Sequence, residues 1–160
     1  MTQHQAPLGY RLNVAIVVLN KEGKILACRR SDEYKSWQLP QGGIEEGESL
    51  KTAMLRELEE EIGTSKVEVL GQLPSSIKYD WPEKEYHRGY RGQEQYYFLT
   101  RLEQGVDIDL SQATTEEFDM FCWMELNEFL DQILGFKSEA YKSALSQFQQ
   151  MFPGTIYCRT

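Results

Sequence analysis

Residues 37–63 read WQLPQGGIEEGESLKTAMLRELEEEIG, and this stretch organises the rest of the chain. In its second half, apolar residues recur every four positions from Leu50 to Ile62, which is the spacing of one buried stripe on an α-helix. Ser49 is a suitable N-cap, and Gly63 is a suitable residue to end the helix. The sequence therefore predicts a helix over residues 50–62 that follows a glycine-rich turn at residues 41–43.

Three carboxylates share one face of this predicted helix. At about 100° per residue, Glu57, Glu60 and Glu61 point the same way, whereas Glu59 points nearly opposite. Carboxylates crowded together repel one another unless a cation neutralises them, and oxygen ligands of this kind suit Mg²⁺ or Mn²⁺. Arg56 precedes Glu60 by four residues and can pair with it. We therefore expect a divalent-metal site, and the alternative is a solvated acidic helix after a turn.

The composition suits one folded domain over residues 1–160, with residues 1–9 as a loose arm. The chain has 160 residues, 41% of them hydrophobic, which is enough for one buried core. Its net charge of −8 argues against an extended nucleic-acid surface, because phosphates would be repelled from most of the protein. A small phosphorylated ligand or one end of a nucleic acid remains compatible.

The cysteines and the apolar segments indicate the cellular compartment in which we expect the protein. Cys28, Cys122 and Cys158 lie far apart, in an odd number and without metal-type spacing, so we expect a reducing cytoplasm rather than a disulfide framework. No apolar run approaches the length of a bilayer span, so we expect no membrane contact. The oligomeric state stays open.

Alternation and turn signals predict more strands than helices. Predicted strands cover residues 12–20, 24–30, 67–73, 77–81, 95–101 and 121–124, with an edge segment at 106–110. Predicted loops cover residues 31–35, 82–92 and 111–119, and further helices cover residues 126–134 and the stretch after Ser138, which we expect to be its cap. Helices packed on a mixed sheet give an α+β fold or an α/β/α sandwich.

The stretch at 37–63 resembles the Nudix box, G-x5-E-x7-R-E-U-x-E-E-x-G-U, where U is aliphatic. The matching residues are Gly42, Glu48, Arg56, Glu57, Leu58, Glu60, Glu61 and Gly63. Only Thr64 departs, because it stands where an aliphatic residue is expected. The resemblance implies a Nudix-type α/β/α sandwich around a mixed, curved sheet, with the box forming a loop, helix and loop between strands.

Five further strings resemble one branch of that family, the bacterial RNA pyrophosphohydrolases and the similar dinucleoside polyphosphate hydrolases. They are YRLNV at 10–14, RR at 29–30 followed by SWQLPQGG at 36–43, GQEQYYFL at 92–99, EFD at 117–119 followed by Trp123, and GFK at 135–137 followed by Tyr141. The chain departs from this branch at Glu94, Tyr96 and Glu116, where basic residues or proline are usual. These departures lower the positive potential expected near a polyphosphate.

The resemblance implies roles for particular residues. Glu57, Glu60 and Glu61 would bind the metal, with Glu117 and a backbone carbonyl near Gln41 as further ligands for more than one Mg²⁺ or Mn²⁺ ion. Glu57 and Glu117 both remain candidates for the general base. The expected substrate-binding residues are Arg30, Ser36, Gly42, Gly43, Tyr79, Gln95, Phe136 and Lys137. On pattern alone, Arg30 and Glu117 could be ordinary surface residues and Phe136 could belong to the core.

Three functions follow from these patterns. The leading hypothesis is an RNA 5′ pyrophosphohydrolase, which converts 5′-triphosphate ends to 5′-monophosphate ends and so starts RNA decay. The alternative is a dinucleoside polyphosphate hydrolase, whose ligand is a free nucleoside polyphosphate. A catalytically silent nucleotide-binding protein is disfavoured, because such a protein would be expected to lose the acids of the box.

Overall fold

The computed structural model describes residues 9–133 and 135–159. The strands are β1 (Gly9–Leu19), β2 (Ile25–Arg30), β3 (Trp37–Gln38), β4 (Gln41–Gly43), β5 (Val67–Gln72), β6 (Ile77–Asp80), β7 (Tyr90–Leu102) and β8 (Phe118–Met124). The α-helices are α1 (Leu50–Ile62), α2 (Leu126–Gln132) and α3 (Ser138–Met151), and short 3₁₀ turns lie at Glu83–Glu85, Leu110–Gln112 and Gly135–Lys137.

Over these described ranges, the eight strands form one mixed sheet. Its main path runs β3-β2-β1-β7-β5, while β4 pairs with β1, β6 with β7 and β8 with β2. The β1–β7 pair is parallel and the other pairs are antiparallel. Register shifts interrupt the β1–β7, β2–β8 and β5–β7 ladders, and such irregularities bend a sheet. The predicted mixed, curved sheet is confirmed.

Helices cover both faces of the sheet. Strand β1 lies at its centre, and its alternate side chains point to opposite layers. Ala15 and Val17 join the core that α2 and α3 cover, whereas Val14 and Ile16 join the core beneath α1. The arrangement is the α/β/α sandwich that the sequence predicts.

Helix α1 has the predicted bounds and the predicted ends. The Ser49 hydroxyl accepts a hydrogen bond from the Thr52 amide at 3.1 Å. Gly63 adopts a left-handed conformation with a φ of 80°, and its amide donates to the Glu59 carbonyl at 3.2 Å. Because both caps are local, residues 49–63 were sufficient to predict this helix.

The prediction of a turn at residues 41–43 is wrong. Gln41–Gly43 is the short strand β4, which pairs antiparallel with Asn13, Val14 and Ala15 of β1. Glycine has a low strand propensity, but the pairing with a buried central strand overrides it. Strand β4 also brings the glycines directly beneath α1.

Other boundaries differ where distant pairing extends a strand. Strand β7 begins at Tyr90 instead of residue 95, because Tyr90 pairs with Gly9 of β1 and residues 92–95 pair with β6. Strand β8 begins at Phe118 inside the predicted 111–119 loop, because it pairs with β2. Gly9 belongs to β1 rather than to the predicted arm, whose residues 1–8 lie outside the described part of the chain.

Two further predictions do not hold. Residues 106–110 form no edge strand, because Ile108 is buried beside α1 and Leu110 begins a 3₁₀ turn. Ser138 is the first residue of α3 rather than its cap, since the 3₁₀ turn at Gly135–Lys137 runs straight into the helix. Helix α2 ends at Gln132, and the predicted end at Leu134 lies outside the described residues.

No helix within residues 9–133 and 135–159 combines the length and the apolar character that crossing a membrane requires.

Candidate active site

The buried face of α1 carries two of the predicted metal-binding acids. Glu57 and Glu61 each keep only 7% of their surface exposed. The Glu61 carboxylate accepts a hydrogen bond from the Gln41 amide at 3.1 Å, which ties α1 to β4. Glu60 is more exposed, and its carbonyl accepts hydrogen bonds from the Thr114 and Thr115 amides. Helix α1 therefore presents the Glu61 carboxylate to β4, and the backbone of Glu60 attaches the loop before β8 to the helix.

Arg56 connects these acids to the segment before the helix. Its guanidinium donates twice to Glu48, at 2.7 and 2.9 Å, and once to the Gly43 carbonyl at 2.8 Å. It also contacts Glu57 at 2.8 Å and Glu60 at 3.2 Å. The paired Arg56 lowers the pKa of Glu48 to about 2. The sequence predicted only the contact with Glu60.

The carboxylates of the site repel one another, and this repulsion adds to burial in raising the pKa of Glu57 and of Glu61. Burial raises the pKa of Glu57, and the nearby Glu60 charge raises it further, although Arg56 opposes both effects. Burial also raises the pKa of Glu61, and the charges of Glu57 and Glu117 add to that rise. The ionised forms are therefore disfavoured until a positive charge joins them.

The donor set fits a hard divalent cation. It consists of carboxylate oxygens, and the two buried carboxylates lack enough positive partners to offset their charge. As they stand, no three His, Cys, Asp or Glu side chains over 9–133 and 135–159 are gathered closely enough to hold an ion. Arg56 engages the Glu57 and Glu60 carboxylates instead.

Glu117 lies in the loop just before β8, and its side chain is exposed. Its charge raises the pKa of both Glu61 and Lys137, so it lies within electrostatic range of these two residues. The Glu117 carbonyl accepts a hydrogen bond from the Ser31 amide at 2.9 Å. Asp119 pairs with Arg29 at 2.9 Å and with Lys35, so the loop at 31–35 holds the Glu117 segment in place.

A groove of about 790 Å³ opens beside the acids. It gathers six of the predicted site residues, which are Arg30, Ser36, Gln41, Tyr79, Phe136 and Lys137. Its lining also contains Arg11, Tyr34, Trp37, Trp81, Lys84, Glu85, Tyr86, His87, Gln93 and Gly135. Four of the lining side chains are cationic and one is acidic, so the lining has an excess of cations in a chain with a net charge of −8, and one of those cations, Arg30, also pairs with Asp32.

Lys137 and Phe136 lie together on the 3₁₀ turn before α3. The Lys137 ammonium donates to the Gln38 side-chain oxygen at 2.7 Å. Burial, together with the nearby charge of Arg30, lowers the pKa of Lys137 to about 8. The exposed Phe136 ring stacks on Tyr79, with ring centroids 5.8 Å apart. Phe136 therefore belongs to the groove and not to the core.

Three predicted substrate-binding residues do not line the groove. Gly42 and Gly43 lie in β4, where a β-carbon at 42 would overlap the Glu57 carboxyl group and one at 43 would overlap the Arg11 guanidinium. Gln95 is fully buried, and Gln93 takes the place at the groove. The reason is that the Gln95 amide bonds inward to Asn13 at 2.9 Å.

A buried polar network supports the floor of the groove. The Gln41 side-chain oxygen accepts hydrogen bonds from the Tyr141 hydroxyl at 2.5 Å and from the Gln95 amide at 3.3 Å. The Leu39 amide donates to the same Tyr141 hydroxyl at 3.3 Å. Through these bonds, helix α3 fixes the residue whose backbone amide contacts Glu61.

Some of the groove residues that the predictions missed carry a signal in the sequence. Arg11 is a cation near the start of β1 and within the matched YRLNV string, yet only the structure places it over Gly43 in the groove. Trp81 lies at the end of the predicted 77–81 strand, but its neighbour His87 gives no signal in the sequence, because their contact depends on how the 81–90 segment folds back.

Comparisons with known proteins agree on one family. The profile of the NUDIX domain matches residues 9–144. An RNA pyrophosphohydrolase from Campylobacter jejuni is 41% identical over 147 residues, covering 88% of this chain and 94% of the relative. An RNA pyrophosphohydrolase from Wolbachia pipientis is 37% identical over 153 residues, covering 92% of this chain and 94% of the relative.

Solved structures share the same architecture. The dihydroneopterin triphosphate pyrophosphohydrolase of E. coli superposes with a TM-score of 0.70 at 19% identity, covering 88% of this chain and 97% of that one. A C. elegans Ap4A hydrolase in a binary complex superposes with a TM-score of 0.66 at 19% identity, covering 89% and 98%. At these identities, the likeness supports the fold alone.

Proposed function

The chain belongs to the Nudix family of hydrolases, and from that premise we propose that it is a metal-dependent RNA 5′ pyrophosphohydrolase of a single domain. It converts the 5′-triphosphate end of an RNA to a 5′-monophosphate, which exposes the transcript to decay. Two relatives that carry this activity in their names are 41% and 37% identical to the chain over most of its length.

The positive groove beside buried carboxylates is the observation that carries the proposal. Arg11, Arg30 and Lys137 bind the polyphosphate, because their charges line a groove in an otherwise acidic protein. The 5′ base stacks on Phe136, which Tyr79 supports from behind. Ser36 also lines the groove and offers a hydroxyl to phosphate oxygens.

The carboxylates hold the metal in this proposal. Glu57, Glu60, Glu61 and Glu117, with the Gln41 carbonyl, form the ligand set for Mg²⁺ or Mn²⁺, with more than one ion in the site. When bound, such ions neutralise phosphate charge and acidify the attacking water. Glu57 and Glu117 both stay candidates for accepting the proton of that water, since Glu57 is a buried carboxylate beside Arg56 and Glu117 is an exposed carboxylate.

Glu94, which stands where the related enzymes usually have a basic residue, affects the groove less than the sequence suggests. Its carboxylate accepts a hydrogen bond from the Ser76 hydroxyl at 2.7 Å. Glu94 is absent from the groove lining, to which its neighbour Gln93 contributes, because successive strand residues face opposite ways. Its charge therefore does not oppose RNA binding directly. The free cysteines Cys28, Cys122 and Cys158 suit a reducing cytoplasm, where such an enzyme would meet its substrate.

The test is hydrolysis of a defined RNA. Purified protein with Mg²⁺ or Mn²⁺ is incubated with 5′-triphosphate RNA, and 5′-monophosphate ends are the expected product. The kcat/KM for this RNA is compared with that for diadenosine tetraphosphate, because relative kcat/KM defines specificity. Turnover of diadenosine tetraphosphate without turnover of RNA would establish the dinucleoside polyphosphate hydrolase instead. No turnover of either substrate with both metals would indicate a silent nucleotide-binding protein.

A further inference from the structure

The segment between β6 and β7 contributes a second aromatic pair to the groove. The rings of Trp81 and His87 are stacked, with centroids 4.8 Å apart and planes inclined by 19°. Both rings line the groove that contains the Phe136–Tyr79 pair. The groove therefore has two stacking platforms, and the function proposed above uses only the one at Phe136.

The Trp81–His87 pair is held in place before any ligand binds. The Trp81 amide donates to the Arg91 carbonyl at 2.8 Å, and the Tyr90 amide donates to the His87 carbonyl at 2.9 Å. Arg88 and Gly89 close the turn with φ values of 53° and 80°. A platform that is already ordered costs little conformational entropy when a ligand binds to it.

Packing of the protein interior does not account for this pair. Neither ring belongs to the two apolar clusters that the described residues form. Trp81 is half-buried and His87 is exposed, so an aromatic surface stays available at the groove. Tryptophan carries a large apolar surface and is enriched at interfaces, so a half-buried indole beside a groove can contribute to ligand binding.

The charge of the groove identifies the class of ligand. Lys84 follows Trp81 on the same segment, and Arg11, Arg30 and Lys137 line the same groove. Stacking surfaces combined with cations are the features that hold single-stranded nucleic acid, because bases stack on the rings while the cations meet the phosphates. Glu85 is the one acidic residue of the lining.

We propose that Trp81 and His87 form a second base-stacking subsite, which binds a nucleobase downstream of the 5′ nucleotide of an RNA. This inference rests on the proposed function, because it assigns the second platform to the same substrate. It makes the enzyme prefer RNA ends with unpaired downstream bases over free nucleoside triphosphates.

The subsite is tested by binding in the absence of metal, so that no hydrolysis is needed. The probe is a trinucleotide with a 5′-monophosphate and a fluorescent 3′ label, measured in EDTA by anisotropy, with the matching labelled mononucleotide as reference. Trp81→Ala and His87→Ala should each weaken trinucleotide binding about tenfold more than mononucleotide binding. His87→Phe keeps a ring and should retain the wild-type preference. Tyr157→Ala, which removes an exposed aromatic ring outside the groove, is the matched control.

Equal losses for both probes, or losses no larger than those of Tyr157→Ala, would overturn the subsite. Loss of diadenosine tetraphosphate binding without loss of trinucleotide binding would also overturn it, because the platform would then hold the second base of a dinucleotide. The proposed function fails by a different result, which is wild-type protein that does not hydrolyse 5′-triphosphate RNA. The ratio of trinucleotide to mononucleotide affinity still reports on the subsite in that case.

Discussion

Gly42 of β4 packs against the carboxyl group of Glu57 on α1 so closely that a β-carbon at position 42 would overlap that group. The overlap involves the flexible end of the Glu57 side chain and not backbone, so the fold can absorb it by moving the carboxylate. The side chain at position 42 thus determines where the Glu57 carboxylate lies.

Gly42→Ala should therefore reduce catalysis while leaving the fold intact. Displacing a catalytic group by about 1 Å can reduce a rate on the order of 100-fold, so we expect a comparable fall in kcat. The measurement is kcat with saturating Mg²⁺, together with the melting temperature. Gly9→Ala is the matched control, because a β-carbon at Gly9 meets no atom within 4 Å. An active Gly42→Ala enzyme would show that the position of Glu57 is not critical.

Glu57→Gln should abolish hydrolysis without destabilising the protein. Burial already disfavours the Glu57 charge, so a neutral amide of the same shape removes repulsion with Glu61 as well as one contact with Arg56. Loss of a general base or a metal ligand lowers kcat by about 10²–10⁴-fold. Glu59→Gln is the control on the exposed face of α1.

Glu117→Gln is the second variant to measure, because Glu117 is the other candidate for the general base. Titration calorimetry with Mn²⁺ separates the two roles, since a general base can be removed without loss of metal affinity. A Glu57→Gln variant that hydrolyses RNA at the wild-type rate would remove Glu57 from the mechanism.

Local signals in the sequence were enough to predict α1 and its acids. The period of the apolar residues, Ser49 at one end and Gly63 at the other all act within one segment, so the helix does not depend on the rest of the fold. The central strand was also readable, because burial on both faces leaves a continuous apolar run.

The remaining features depend on residues that are distant in sequence. Residues 41–43 become a strand only because β1 pairs with them. Gln95 is buried because Asn13 and Gln41 bond to its amide, and no local pattern distinguishes it from Gln93. The second platform at Trp81 depends on a fold-back of its own segment. In each case, tertiary contact decides what the local residue types leave open.

Tyr141→Phe should destabilise the protein through the floor of the groove. The Tyr141 hydroxyl donates to the Gln41 side chain at 2.5 Å and accepts from the Leu39 amide at 3.3 Å, so its loss leaves the Leu39 amide without this partner and leaves Gln41 with the Gln95 amide alone. Such a loss costs about 1–3 kcal/mol. Urea unfolding measures it, and Tyr157→Phe on the surface is the control. Equal stability of the two variants would mean that water replaces the hydroxyl.

The ionisation of Glu48 should make the free energy of unfolding depend on pH in the acidic range. Hydrogen bonds from Arg56 lower the pKa of Glu48 from 4.5 to about 2, so the folded protein binds a proton there less readily than the unfolded chain. The stabilisation is therefore complete above pH 4.5 and disappears as the pH falls towards 2. Glu48→Gln should be less stable than the wild type at neutral pH, and the difference should shrink on acidification. Urea midpoints at several pH values measure it, and a constant difference would contradict the assignment.

Because of Lys137, the kcat/KM for hydrolysis of RNA should fall at alkaline pH. Burial and the charge of Arg30 lower the pKa of Lys137 to about 8, so its ammonium is present below that pH and is lost as the pH rises through it. Because the kcat/KM reports the ionisation of the free enzyme, it should fall above pH 8 as the phosphate contact disappears. Lys137→Arg keeps its charge and should remove this fall. Lys142→Arg, an exposed change on α3, should follow the wild-type profile. If Lys137→Arg keeps the same falling limb, another group titrates, and the contact between Lys137 and phosphate would be excluded as its cause.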